Sequence, residues 1–143
     1  MTRTRIAIAL LLLAPLLAFA SGPTAPKGWD GSFEPVLPNG QPCCQSADLN
    51  GSGLVGGAFV FLSTDKRQFA LFVLSYTPPM QERWQLLEKH PIEKLDTFRV
   101  MLVPPGELEH GAIEACGAGP ECRAYATASA KDPFKKVKRK PAP

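Results

Sequence analysis

Histidine, tryptophan and tyrosine are scarce, with two of each in 143 residues. His90 precedes Pro91 and His110 precedes Gly111, so both read as exposed loop residues, and no motif pairs either with a nucleophile. No H-E-x-x-H helix, G-x-S-x-G elbow, P-loop or G-x-G-x-x-G turn is present, which removes the local signatures of zinc hydrolases, acyl transfer, nucleotide hydrolysis and dinucleotide binding. Gly51-Ser52-Gly53 shares only a fragment of an elbow and precedes a strand pattern, not a helix. Heptads and internal repeats are missing, which excludes a coiled coil and a solenoid. Charged residues make up 20% and hydrophobic residues 45%, a globular balance sized for one small domain.

What the chain has in plenty is proline (15) and glycine (12), together with four cysteines. Its start is an address. Arg3 and Arg5 precede an apolar run from Ile6 to Leu17, and Ala18-Phe19-Ala20 gives a small-x-small cleavage pattern before Ser21. Residues 1–20 are therefore expected to be a secretory signal peptide. The run is shorter than the roughly 20 residues of a spanning helix, so the cleaved chain is not expected to span a membrane. Periplasmic or secreted localisation follows.

Export makes Cys43, Cys44, Cys116 and Cys122 disulfide candidates, with three connectivities. An adjacent pair closes a tight ring, because neighbouring Cα atoms lie about 3.8 Å apart, below the usual disulfide range. Cross-linking of Cys43 and Cys44 to Cys116 and Cys122 is therefore favoured, stapling the start of the domain to its end. A local Cys116–Cys122 bridge remains open. Zinc ligation fits poorly, since the cysteine spacings are not those of C-x₂₋₄-C pairs.

Residues 21–42 form a Pro/Gly-rich leader in which Phe33, Val36 and Leu37 are the residues able to pack on the domain. The β-domain is expected over 43–130. Ala58–Ser63 and Phe69–Tyr76 read as strands joined by the polar turn Thr64-Asp65-Lys66-Arg67. Phe59 and Phe61 point one way, and Ala58, Val60 and Leu62 the other. The second strand is apolar on both faces too, so both faces of the hairpin must be covered. Arg83–Glu88 fits a strand or a short helix, and Phe98–Val103 reads as a strand stopped by Pro104-Pro105-Gly106. Tyr125–Ser129 is a further short candidate. The fold class is mainly β: a small, disulfide-stapled antiparallel meander of about four strands, with an irregular N-terminal leader and a basic C-terminal tail.

The tail, 131–143, carries a net charge of +5, whereas 21–130 carries −4. Lys135, Lys136, Lys138, Arg139 and Lys140 suit a weak, salt-sensitive contact with an anionic surface. Phe134 is the tail's one aromatic, so no stacking platform for specific nucleic-acid binding exists.

Residues 48–57 place oxygens at alternate positions, Asp48, Asn50 and Ser52, with Gly51 and Gly53 for the bend and an apolar strand following. That pattern suits a calcium loop. With the flanking runs Phe33-Glu34-Pro35-Val36-Leu37-Pro38-Asn39-Gly40 and Ser46-Ala47-Asp48-Leu49-Asn50-Gly51, it resembles exported bacterial proteins carrying an FG-GAP or VCBS-type, integrin-like repeat. The resemblance covers about residues 33–75 and implies a four-stranded antiparallel blade with a calcium loop. Ser52 and Gly56 stand where the family has aspartates, leaving one carboxylate. Since affinity rises with ligand charge, a retained structural turn is expected over a working calcium site, and no other cofactor is implied.

The functional expectation is an exported β binding or structural module whose partner is an envelope protein or polymer. Its rivals are an envelope hydrolase using dispersed carboxylates with His90 or His110, and a decayed, non-functional family member.

Overall fold

The computed structural model describes residues 24–31, 36–106 and 108–139. The signal peptide expected at 1–20, Phe33 and Lys140 lie outside the described residues. Among the described residues eight strands make two antiparallel sheets, each a meander in chain order. The first holds β1 (Cys44–Ala47), β2 (Gly56–Leu62), β3 (Gln68–Thr77) and β4 (Gln81–Pro91). A 3-10 turn, Ile92–Thr97, leads to the second sheet: β5 (Arg99–Val103), β6 (Ala112–Cys116), β7 (Arg123–Ala126) and β8 (Lys135–Val137). No helix among the described residues is long and apolar enough to cross a membrane.

The β2–β3 hairpin forms with the expected faces. Ser63 and Gln68 close its four-residue loop, the Ser63 N–H donating to the Gln68 carbonyl at 2.9 Å. Ala58, Val60, Phe69, Leu71 and Val73 face the second sheet and share one core with Phe98, Val100, Ile113, Ala115 and Phe134. Phe59, Phe61, Phe72 and Leu74 face outward into a second core closed by Trp29 and Trp84. Trp29 meets Phe72 edge-on at 5.4 Å, and Trp84 meets Phe59 edge-on at 5.3 Å. The segment carrying Trp29 is held along the end of β2, where the Asp30 N–H donates to the Leu62 carbonyl at 2.8 Å. Both apolar faces are thus covered, as burying them requires.

Arg83–Glu88 lies within a longer strand, β4. The Phe98–Val103 segment is a strand, β5, but it opens the second sheet and does not pair with β4. The basic stretch also begins inside the sheet: β8 contains Lys135 and Lys136, and the Phe134 side chain just before it is buried in the shared core.

Cysteine pairing differs from the favoured cross-link. The disulfides are Cys43–Cys44 and Cys116–Cys122, both local. The geometry of the sheets explains this. Arg99 pairs with Cys116, while Val100 and Ala115 fill the inner core, so Cys116 points to the outer face of the second sheet, away from β1. Strand β5 lies between β6 and the edge that approaches β1.

Side-chain amides make the long-range ties instead. Gln45 on β1 donates from Nε2 to the Val100 carbonyl (2.7 Å) and accepts the Leu102 N–H at Oε1 (3.0 Å). Gln85 on β4 donates to the Phe134 carbonyl and accepts the Phe134 N–H, both at 2.8 Å. Each amide stands in for a peptide group of a missing neighbouring strand. One glutamine closes the β1/β5 side of the pair of sheets and the other the β4/β8 side. Asn39 adds a third tie, donating to the Phe98 carbonyl at 2.7 Å.

Candidate functional site

Among the described residues a hydrogen-bonded polar cluster sits between the sheets, and a β-bulge creates it. Leu71 pairs with Glu88 but Phe72 pairs with Leu86, so Leu87 is the extra residue. Trp84 and Leu86 lie on the outer face, opposite Leu74 and Phe72. Past the bulge the phase reverses, and Glu88 and His90 turn inward, opposite Leu71 and Phe69.

Glu88 is 9% exposed and has partners on every side. Arg123 on β7 donates from Nε to Oε1 and from Nη2 to Oε2, both at 2.7 Å, in the bidentate fork that guanidinium and carboxylate favour. The Tyr125 hydroxyl donates to Oε1 at 2.7 Å, and His90 Nε2 lies 2.8 Å from Oε2. The Arg123 guanidinium is itself held by the loop between β6 and β7, donating to the Gly117 carbonyl at 3.0 Å and the Glu121 carbonyl at 2.5 Å. The Cys116–Cys122 disulfide closes that loop.

Burial pushes the Glu88 carboxyl up, but the bonds from Arg123, His90 and Tyr125 outweigh it and hold the group below its ordinary value. The Glu88 bonds raise Arg123. Burial, followed by the bond to Glu88, pushes the Tyr125 phenol up to about 12. The cluster thus holds a fixed carboxylate, a fixed cation and a neutral phenol at neutral pH.

His90 is therefore not the exposed loop residue expected from its Pro91 neighbour. It lies in β4 with its side chain 19% exposed, and its ring packs between Phe69 and Phe98 at 5.5 and 5.6 Å. His110 does lie in a turn, with its ring against Gly51 closely enough that a Cβ there would fall 2.5 Å from Cε1. The two histidines stand in different parts of the fold.

The Asp48 loop is held by its own side chains. Asp48 Oδ1 accepts the N–H groups of Asn50 (3.3 Å) and Gly51 (2.9 Å), and Oδ2 accepts that of Gly53 (2.8 Å). Asn50 Oδ1 accepts the Ser52 N–H at 3.2 Å, and Ser52 Oγ accepts the Leu54 N–H at 3.2 Å. The buried Asn50 amide donates to the Tyr76 carbonyl at 3.0 Å, tying the loop to the end of β3. Each oxygen expected to face a cation already takes a backbone donor. Thermal melts in calcium and in chelator are expected to coincide, whereas Asp48→Ala, which strips three N–H groups of their acceptor, is expected to cost about 1–2 kcal/mol. An upward shift in calcium would instead make the loop a ligand site.

Among the described residues, Glu114, Cys116 and Cys122 form a group of metal-ligand dimensions. The sulfurs are joined to each other, so neither is a thiolate ligand, and Glu114 is paired with Arg139. Lys135, Lys136, Lys138 and Arg139 are exposed along and just past β8.

Sequence reasoning missed the Glu88–Arg123–Tyr125 cluster entirely. The usable signal was the run Leu86-Leu87-Glu88, where strand alternation breaks. Comparison of the chain with protein-family models, with curated proteins and with solved structures finds no match.

Proposed function

We propose that the chain is an exported β binding or structural module that acts through its surface on an envelope protein or polymer. The observation that carries this reading is the engagement of the inward-facing ionisable cluster. Glu88 accepts from Arg123 and Tyr125 and is partnered by His90, an arrangement that ties one sheet to the other. A hydrolase that used Glu88 with His90 would need a carboxylate open to substrate and near its working pKa. Here the carboxylate is 9% exposed and held ionised.

Two further features support the reading. Two disulfides suit an oxidising compartment, in line with the signal peptide expected at 1–20. The Asp48 loop uses its side-chain oxygens on backbone donors, as a structural turn would.

The test is co-sedimentation of the oxidised chain 21–143 with washed bacterial envelope fragments, separated into peptidoglycan and membrane fractions. Retention by one fraction, with no release of polymer fragments, is the expected result. Absence from both fractions, or release of soluble fragments on incubation, overturns the reading.

A further inference from the structure

Strand β8 ends the order of the second sheet, and among the described residues no strand lies beyond it. Gln85 covers the backbone at Phe134, immediately before β8, but Lys135–Val137 has no such side-chain cover. An uncovered edge presents N–H and C=O groups to any extended chain of suitable side chains.

The charges along this edge are arranged in an unusual way. Tyr125, which faces the first sheet, pairs with Lys136, so Lys136 is on the inner face. Ala126 pairs with Lys135 and Ala124 with Val137, so those two are on the outer face. The cations therefore alternate across the strand. Lys135, Lys136 and Lys138 make no ion pair among the described residues; of the acids around them Glu114 is paired with Arg139 and Asp132 with the Ser129 hydroxyl, while Glu109 and Glu121 line the neighbouring hollows. Two hollows of about 470 and 500 Å³ share Val137 as a lining residue. Leu108 and Ala126 add apolar floor to the first, and Ala124 to the second.

We propose that β8 is a docking edge for an extended acidic peptide segment, which adds to the second sheet as a further strand. Its carboxylates on the inner face meet Lys136 and Lys138, and its apolar side chains on the outer face enter the hollows beside Val137. An anionic membrane is a poorer occupant, because a flat surface meets cations presented on one face and not on both sides of a strand. The proposal rests on the binding-module reading and names the chemistry of its partner.

The test uses the oxidised chain 21–143 and a fluorescent peptide of about ten residues alternating Glu and Val, a length typical of the longer strands. Two isomers carry backbone N-methyl groups on either the odd or the even residues. Charge and composition match, but each isomer has only one edge able to donate hydrogen bonds. The expected result is binding of the parent peptide and of one isomer, with at least about tenfold weaker binding of the other. Lys136→Glu/Lys138→Glu is expected to abolish binding while leaving the melt of this exposed site unchanged.

Equal binding of both isomers would show a contact of charge alone and overturn the proposal. So would no peptide binding, or binding only to vesicles of phosphatidylglycerol. Envelope retention that survives those outcomes would leave the binding-module reading standing without this edge, whereas loss of retention would remove the reading itself.

Discussion

Arg123→Met is expected to destabilise the fold by about 3–5 kcal/mol at neutral pH, because it leaves the Glu88 charge buried with its cation gone. For a domain of this size that is a fall of roughly 12–20 °C in the melting temperature. The pH dependence separates this from a simple packing loss. In the unsubstituted chain Glu88 is held below its ordinary value of 4.5, so its contribution is present above that value and is lost as pH falls through the folded pKa. In Arg123→Met the buried carboxyl no longer has its cation and takes up a proton more readily. The stability gap between the two proteins should therefore narrow between pH 7 and pH 4. A gap that stays constant over that range would show that the Arg123–Glu88 charge pair is not what the substitution disturbs. At the alkaline end Tyr125 works in the opposite sense. Its folded pKa is raised to about 12 from 10.0, so stability is lost across that interval as the unfolded phenol ionises, and Tyr125→Phe should remove that part of the loss.

Gln45→Leu and Gln85→Leu are each expected to cost about 2–4 kcal/mol, since each leaves one backbone N–H and one C=O at a sheet edge without a partner. Leucine keeps the bulk and removes only the amide, so the cost reports the hydrogen bonds. The two glutamines share no partner and close opposite sides of the sheets. Their effects should add to within about 0.5 kcal/mol in urea unfolding. Strong coupling between them would mean that opening one side already opens the other, which two independent ties do not allow.

The hairpin was legible because Phe59, Phe61, Phe69 and Phe72 fill both faces of two strands. That density of apolar residues has one reading. Much of the second sheet was obscure for separate physical reasons. Strands β6 and β7 are built on Ala112, Ala115, Ala124 and Ala126, whose small side chains carry little strand signal. Lysines disguise β8 as a solvated tail, although lysine is a common occupant of an edge strand. The bulge at Leu87 breaks the period in β4, so the inward turn of Glu88 and His90 could not be read from alternation. The cysteines misled because the tight ring of an adjacent pair argued for a cross-link, whereas both bridges are local and Cys116 points to the outer face, away from β1. At the Asp48 loop the bend was legible, but the direction of its oxygens toward backbone donors was not.

The chain-order arrangement of the strands has a consequence for how the protein is made. Residues 44–91 and 99–137 each form a complete sheet from neighbours in sequence. Short-range pairing closes small loops and proceeds quickly, so each sheet can assemble before the other exists. The bonds that join them span far longer loops, 55 residues from Gln45 to Val100 and 49 from Gln85 to Phe134. Closing those loops costs more chain entropy, so the glutamines and the Glu88–Arg123 pair are expected to form late, where an interaction slows escape from the native state more than it speeds arrival. With both disulfides local, these polar clasps take on the task of keeping the folded molecule closed over time.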